Sequence, residues 1–365
     1  MFQIFVINPG STSTKVALFQ DEQQIFAEKI HHPIEELAGF PTILSQMDFR
    51  LKAIEEILSR NGQSIETVDA FVGRGGLLRP IPSGTYLVTE AMIADLKAGV
   101  QGEHASNLGG ILAYELGRKT NKPAFIVDPV VVDEMEPIAR LSGHPKLPRK
   151  SIFHALNHKA VARKAAARLG KNFKDANFIV AHLGGGISIA AHQKGKVVDV
   201  NNALDGEGPF TPERAGTLPA GDLARLCFSG RYSKEQVAKM IKGEGGIVAY
   251  LGTNSMQQVA QKVASGDEQA ELVYKAMAYQ VAKEISALAA VLKGEIDAII
   301  LTGGIAYDQG FCNWIKERCS FLAPIFIFPG EEEMEALALG ALRVLRQEEE
   351  AKNYEQEAGG VHENF

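Results

Sequence analysis

The chain contains the same strand–turn–strand pattern twice, about half the chain apart. In each copy an apolar strand ends in a turn of glycine and small polar residues, and a second apolar strand follows; the copies are residues 5–18 and 179–190. Short apolar strands alternate with longer helical stretches around both copies, a pattern typical of α/β proteins. The repeat predicts two domains of similar architecture that face each other.

The remaining pattern predicts the order of elements and the domain limits. Predicted strands are 2–7, 15–19, 70–72, 123–127, 178–181, 187–192, 298–301 and 325–328; predicted helices are 53–60, 103–119, 158–169, 271–293 and a last one of about 331–346. Prolines and basic residues cluster near 148–151, which predicts domains 1–150 and 151–330. We expect 351–365 to be a polar, frayed tail.

Composition excludes several classes of protein. The 365 residues carry 38 Lys and Arg against 44 Asp and Glu, a net charge of −6, which argues against nucleic-acid binding. Three cysteines without a C-x-x-C pair encode neither a disulfide framework nor a zinc site. The first apolar stretch has no basic residue before it, and no run approaches the roughly 20 apolar residues of a membrane span. We expect a cytoplasmic protein with no membrane or nucleic-acid partner.

Three turns rich in glycine follow predicted strands. They are residues 8–15, Gly184–Gly186 and Gly303–Gly304. Backbone N–H groups in such turns can hold phosphate oxygens, although residues 8–15 do not match a P-loop and could be an ordinary hairpin turn. Three such turns in one α/β chain indicate a nucleotide cleft.

Candidate charged residues lie near the same turns. Arg74 is flanked by glycines, and Arg214 lies in the segment Pro212–Gly216. Each can bind a carboxylate or phosphate through two hydrogen bonds, or form a surface ion pair. Asp128 follows a predicted strand, where it could hold Mg²⁺ or simply form a turn before Pro129.

The histidines are less specific. His154 and His158 are four residues apart, a spacing that could bind zinc, but no third ligand is evident, so phosphate-binding or structural roles are favoured. His104 is a candidate for a functional role or for polar surface.

These motifs, taken in order, resemble the acetokinase family. Residues 6–15 (VINPGSTSTK) resemble its first signature, 181–188 (AHLGGGIS) its second phosphate motif and 301–306 (LTGGIA) its adenosine motif. The segments 72–76 (VGRGG) and 153–158 (FHALNH) follow in family order, so the resemblance covers residues 2 to about 346. The segment 73–78 (GRGGLL) and the short length resemble the butyrate kinase branch.

The resemblance implies the fold of acetate kinases, sugar kinases, actin and heat-shock ATPases. Two ribonuclease H-like domains then enclose a nucleotide cleft, and the last helix, about 331–350, packs back on the first domain. It also implies transfer of phosphate between ATP and a short-chain fatty acid, with Mg²⁺, by a homo-oligomer that is a dimer or larger. An isobutyrate kinase, a non-catalytic nucleotide-binding protein and a sugar kinase remain open alternatives.

Residue roles follow from the resemblance alone. It implies catalytic roles for Asn8, Arg74, His154 and Arg214; substrate contacts for Arg74, Gly76, His104 and Phe153; nucleotide contacts for Ser11, Thr12, Lys15, His182, Gly184, Gly185, Gly186, Gly303 and Gly304; support by His158; and Mg²⁺ binding by Asp128.

The chain departs from the acetate kinase pattern at three positions. Gly185 replaces an Asn, and Tyr307 replaces a metal-linked Glu, so the magnesium shell is open. Gly76 replaces a Val, which predicts room for two more methylenes, each worth about 0.8 kcal/mol when buried. The pattern therefore favours butyrate or a branched acid over acetate. Such an acid is already ionised at neutral pH, so the reaction needs neutralisation of charge rather than a general base.

Overall fold

The computed structural model describes residues 1–358 and divides into two compact units. The first contains Met1–Asp133 and the described residues from Glu332 onward; the second contains Glu134–Glu331. The chain therefore leaves the first unit and returns to it, whereas the second unit is continuous in sequence.

The division falls before the predicted boundary at residue 150. The Lys159 ammonium binds the Glu134 carboxylate at 2.6 Å, and Arg149 binds Asp199 at 2.9 Å. These ion pairs attach the segment between Glu134 and Arg149 to the second unit. The composition of that segment signalled a linker and did not reveal its partners.

The first unit contains a seven-stranded sheet of order β12-β5-β6-β4-β1-β2-β3. Its strands are β1 (Gln3–Pro9), β2 (Ser13–Gln20), β3 (Gln23–His31), β4 (Ala70–Arg74), β5 (Thr85–Leu87), β6 (Ala124–Val127) and β12 (Lys352–Asn353). Its helices are α1 (Ile34–Leu37), α2 (Met47–Arg60), α3 (Glu90–Ala98), α4 (Asn107–Thr120), α13 (Glu333–Leu345) and α14 (Tyr354–Glu357). The apolar core lies between the sheet and these helices.

The second unit contains a five-stranded sheet of order β11-β10-β7-β8-β9. Its strands are β7 (Asn177–Leu183), β8 (Ile187–Gln193), β9 (Lys196–Val200), β10 (Ala298–Gly303) and β11 (Ile325–Pro329). Its helices are α5 (Pro137–Arg140), α6 (Ala155–Arg168), α7 (Ala220–Cys227), α8 (Lys234–Ile241), α9 (Ile247–Leu251), α10 (Met256–Ala264), α11 (Glu268–Val291) and α12 (Gln309–Cys319). The long helix α11 supplies much of the core on one face of the sheet.

Five strands of the first sheet share one topology with the five strands of the second, which confirms the α/β class and the internal repeat. Strands β1, β2 and β3 form an antiparallel meander, and β4 and β6 continue the sheet parallel to β1. Strands β7, β8 and β9 form the same meander, and β10 and β11 continue it parallel to β7. A shift of register interrupts the last pair of each meander. None of the helices in residues 1–358 combines the length and apolar character of a membrane span.

Close backbone approaches set the position of α4 on the first sheet. A Cβ atom on Gly73 would overlap the backbone of Gly109, and one on Gly109 would overlap the backbone of Arg74. Only glycine allows helix and strand to approach this closely. The approach fixes the end of β4, where Arg74 lies.

The C-terminal part of the chain is more ordered than its polar sequence indicates. Helix α13 packs against β1, β4 and β6, and β12 pairs with β5. The Tyr354 side chain is buried, and its hydroxyl donates to Asp95 at 2.7 Å. The expected frayed tail is therefore wrong for residues 352–358, because one aromatic anchor lies within the polar stretch. Residues 359–365 lie outside the described part of the chain.

Candidate functional site

Parallel strands in the first unit bring three of the expected site residues to one edge of the sheet. Ile7 is paired with Gly73 across β1 and β4, and Arg74 with Val127 across β4 and β6. Asn8, Arg74 and Asp128 therefore lie at the carboxyl ends of three adjacent strands. This is the edge at which α/β proteins bind ligands.

A carboxylate from the start of α13 binds two of these residues. The Asn8 amide donates to Glu333 Oε2 at 2.8 Å, and the Arg74 guanidinium forms an ion pair with Glu333 Oε1. The three successive glutamates directly after a strand were the available signal for Glu333, which the sequence motifs did not identify as a site residue.

Asp128 has the chemistry of a magnesium ligand but not a complete ligand set around it. Its Oδ1 accepts hydrogen bonds from the Ser83 hydroxyl at 2.6 Å and from the Gly84 N–H at 2.8 Å. Within residues 1–358, no three His, Cys, Asp or Glu side chains come together as a metal site. Mg²⁺ usually takes only one or two carboxylates and completes its shell with water and phosphate. Asp128 therefore fits a Mg²⁺ ion that a nucleotide brings with it.

The buried side chain of Arg50, on α2, binds the turn between β1 and β2 from inside the unit. The buried Arg50 guanidinium donates to the backbone carbonyls of Gly10, Ser11 and Ser13 at 3.0–3.1 Å. It also donates to the Thr14 hydroxyl at 2.9 Å. The carbonyl groups of this turn are thus directed into the unit. Sequence analysis missed Arg50 because its helix is amphipathic and gives no sign that one arginine is buried.

The exposed side of the turn carries the expected nucleotide contacts. Ser11, Thr12 and Lys15 are all exposed. His32 supports the turn from the neighbouring strand: its backbone N–H donates to the Thr12 carbonyl at 2.9 Å, and its Nε2 contacts the Thr14 hydroxyl at 2.8 Å. Burial lowers the pKa of His32 to about 4, and the positive charge of Arg50 adds to this effect.

The structure corrects the argument about space at Gly76. A Cβ atom on Gly76 would lie 2.5 Å from Asn107 Oδ1 and 2.9 Å from Leu96 Cδ2. The space expected from the absent side chain is therefore filled by α4 and α3, and Gly76 allows their close packing. His104, just before α4, is exposed and contacts the Ser106 hydroxyl at 2.8 Å.

In the second unit, the start of α6 brings two histidines to the start of β8. Ser188 Oγ lies 2.9 Å from His154 Nδ1 and 2.8 Å from His158 Nε2. Phe153, expected to contact substrate, is buried with its ring edge against His158 at a centroid distance of 5.2 Å. Its observed contact thus supports the histidine.

His182, near the end of β7, lies over His154. The two rings are stacked with centroids 3.7 Å apart. The Asn157 side chain orients His182 through a 2.8 Å hydrogen bond to Nδ1, and Glu331 Oε1 lies 3.0 Å from Nε2. Sequence analysis missed Ser188 and Glu331, which both follow recognisable strands or turns.

Arg214 lies against the turn Gly184–Gly186. A Cβ atom on Gly186 would overlap its guanidinium, and Thr211 connects the two segments by donating to the Gly185 carbonyl at 2.7 Å. Burial lowers the pKa of Arg214. Its Nε–H is buried and finds no hydrogen-bond acceptor among residues 1–358.

The third glycine turn follows β10 in the same sheet. Gly303 has φ +89° and approaches the Leu183 backbone so closely that a Cβ would overlap it, whereas Gly304 faces open space. Tyr307, the residue in place of a metal-linked Glu, is exposed at the end of the same turn. Gly303 therefore has a packing role, and Gly304 leaves space beside the strand end.

Most of the chain matches the fold of solved short-chain acid kinases. The crystal structure of Porphyromonas gingivalis acetate kinase matches with a TM-score of 0.77 at 19% identity, over 94% of this chain and 100% of that one. A propionate kinase from Francisella tularensis matches with a TM-score of 0.71 at 20% identity, over 93% and 99%. At these identities the likeness establishes the fold, which is the two-domain actin-like fold.

Sequence comparison then gives the family. The sequence profile of the acetokinase family matches residues 144–317. Butyrate kinase 2 of Clostridium acetobutylicum is 56% identical over 353 residues, which cover 97% of this chain and 99% of that protein. The chain belongs to the acetokinase family.

The support of the first turn by Arg50 predicts a large cost of substitution. Arg50→Met removes four hydrogen bonds from the turn, three to the partly buried carbonyls of Gly10, Ser11 and Ser13 and one to the buried Thr14 hydroxyl, so we expect the free energy of unfolding to fall by about 3 kcal/mol. Arg60→Met on the same helix removes an exposed ion pair with Glu28. It should change the free energy of unfolding by less than about 0.5 kcal/mol. Urea unfolding of both variants checks this, and equal effects would contradict the assigned support.

The environment of His32 predicts a dependence of stability on pH. The unfolded chain protonates His32 near pH 6.5, whereas the folded chain does so near pH 4. Between these values the unfolded state binds more protons, so stability should be complete above about pH 6.5 and should fall as the pH falls towards 4. Urea unfolding at several pH values should show a smaller loss for His32→Gln than for the wild type; identical losses would exclude this contribution.

Proposed function

We propose that this chain catalyses reversible phosphoryl transfer between ATP and butyrate, giving ADP and butyryl phosphate. The observation that carries the proposal is the 56% identity to Butyrate kinase 2 over almost the full length of both proteins. This activity would also account for the cationic and amide groups at the strand ends of the two sheets.

The first unit supplies a binding site for a carboxylate. The Arg74 guanidinium and the Asn8 amide already bind one carboxylate, that of Glu333. The acid substrate presents the same group, so these two residues are suited to hold it or the acyl phosphate product. His104, just before α4, is the proposed contact for the rest of the acid.

The second unit supplies groups for the transferring phosphate. Because the buried Arg214 Nε–H has no acceptor among the described residues, an anionic oxygen beside the turn Gly184–Gly186 would satisfy it. His154 adds a hydrogen-bonding group. A carboxylate oxygen attacks the γ-phosphorus in line, the bond to the ADP oxygen breaks, and Arg214 and His154 offset the charge on the phosphoryl oxygens.

The nucleotide is expected at the glycine turns. We assign its contacts to Ser11, Thr12, Lys15, His182, Gly184, Gly185, Gly186, Gly303 and Gly304, with Gly303 acting through backbone shape. Asp128 would hold Mg²⁺ directly or through water, and the ion would neutralise phosphate charge when bound. We also propose that the protein acts in the cytoplasm as a homo-oligomer, a dimer or larger, on the basis of the family resemblance.

A series of acids tests the activity and its substrate. Mg-ATP is supplied with acetate, propionate, butyrate, isobutyrate or valerate, and acyl phosphate is trapped as the hydroxamate. We expect the highest kcat/KM with butyrate. A maximum at isobutyrate would support a branched-chain acid kinase instead, and no product from any acid with retained ATP binding would support a non-catalytic protein.

Substitution of Arg74 tests the carboxylate site. Arg74→Ala removes the cation that binds the acid, so we expect KM for butyrate to rise and kcat/KM to fall by about 100-fold. Arg225→Ala serves as the control, because Arg225 is an exposed arginine paired with Asp222 on α7. Equal kinetics of Arg74→Ala and the wild type would exclude Arg74 from acid binding.

A further inference from the structure

A row of hydrogen bonds connects His154 with the interior of the second unit. We call it the histidine relay; its members are His154, Ser188, His158 and His192. Ser188 Oγ contacts His154 Nδ1 at 2.9 Å and His158 Nε2 at 2.8 Å, and His158 Nδ1 contacts His192 Nε2 at 3.3 Å. The mechanism above uses only the first member, so the purpose of the other three is open.

The two inner histidines are neutral. His158 and His192 are both fully buried. Burial lowers the pKa of each imidazole well below its ordinary value. The neighbouring His192 lowers the pKa of His158 further, and the Lys159 ammonium lowers the pKa of His192 further. A neutral imidazole has one N–H donor and one acceptor nitrogen. Each relay bond therefore fixes the direction of the next.

Two directions use the single proton of the Ser188 hydroxyl within the relay. In the outward direction, His192 donates to His158, His158 donates to Ser188, and the Ser188 hydroxyl donates to His154 Nδ1. In the inward direction every donor and acceptor is exchanged. The outward direction leaves His192 Nδ1 as a bare acceptor, whereas the inward direction gives it a proton.

The environment of His192 Nδ1 decides between the two directions. This atom is buried without a hydrogen-bond partner in the described part of the chain. Buried N–H groups without an acceptor are rarer in proteins than acceptors without a donor. The positive charge of Lys159, which binds Glu134 and the Gly195 carbonyl, opposes a second proton on His192 and so keeps its ring neutral. The missing acceptor at Nδ1 therefore favours the outward direction.

We propose that the histidine relay holds His154 as the neutral tautomer with its proton on Nε2, so that His154 acts as an N–H donor to the transferring phosphoryl group. The donor role rests on the proposed function; the tautomer does not. Ser188, His158 and His192 are then positioning residues. They keep His154 in one protonation state by requiring its Nδ1 to accept a hydrogen bond.

The stacked neighbour of His154 agrees with a neutral ring. His182 lies face to face with it at 3.7 Å, and two imidazolium rings at that distance would repel each other. Glu331 Oε1, 3.0 Å from His182 Nε2, offers a negative charge to a protonated His182. A neutral donor at His154 avoids the repulsion at any charge of His182.

Solid-state ¹⁵N NMR of protein labelled at its histidine ring nitrogens measures the tautomer directly. The His154 signals are assigned by their loss in His154→Asn. At about pH 8, where an ordinary histidine is neutral, we expect protonated Nε2 and unprotonated Nδ1. A proton on Nδ1, or a doubly protonated ring, would overturn the proposal.

Two variants of equal size test the direction of the relay. His192→Gln can donate to His158 through its amide and should keep the wild-type tautomer of His154. His192→Glu can only accept when ionised, which requires His158 to donate to it and Ser188 to donate inward, so the proton on His154 should move to Nδ1. The same tautomer in both variants would contradict the relay.

Kinetics test the consequence for the reaction. Ser188→Ala removes the connecting hydroxyl, and we expect kcat to fall about 10- to 100-fold with little change in KM for ATP, less than the loss of a whole donor. Ser265→Ala, an exposed serine at the end of α10, is the control.

The two proposals can fail separately. If the wild type forms no acyl phosphate from any acid, the proposed function fails, and the NMR spectrum still decides the tautomer. If acyl phosphate forms and Ser188→Ala keeps the wild-type kcat, the relay fails alone. Thermal unfolding identifies any variant that does not fold. In that case the ¹⁵N spectrum of the wild type alone tests the tautomer of His154.

Discussion

The register of the parallel strands determines where chemistry is possible in each unit. In the first sheet, Asn8, Arg74 and Asp128 lie near one another because their three strands end at the same level. In the second, His182 is paired with Thr302 immediately before the two strands end in glycine turns. A shift of one residue in any of these pairings would turn the side chains to the opposite face of the sheet. The close approaches between glycine and backbone therefore stabilise the register as well as the packing.

Sequence patterns predicted the elements that lie in the two cores but missed many that surround them. Strands 70–72 and 298–301 were recognisable because they are continuous apolar runs bounded by polar or glycine residues. The edge strands β3 and β9 and the helices α7, α8 and α10 were not predicted. Strand β3 is largely exposed and β9 has only five residues. The three helices have eight or nine residues each, fewer than the roughly 11 over which a helical period is recognised. The repeat was recoverable because both copies of the hairpin keep their turn chemistry.

The site residues that lie in a sequence motif were predictable. Those that contact the site from a distant part of the chain were not. Arg74 and His154 stand beside glycines or other histidines in recognisable order. Glu333 reaches Arg74 from 259 positions further along the chain, and Arg50 supports a turn from another element. Neither distance is visible in one sequence. The space at Gly76 was misjudged for the same reason: the size of a pocket depends on the residues opposite, here Asn107 and Leu96.

The return of the chain to the first unit has a consequence for its biosynthesis. The second unit is continuous, so all its strands are synthesised before Glu332. Until then the first unit lacks α13, and the side of its sheet that α13 covers stays uncovered. Domains generally form as units during synthesis. The part of the chain made first is therefore completed last, and until α13 arrives Arg74 and Asn8 have no Glu333 carboxylate to bind.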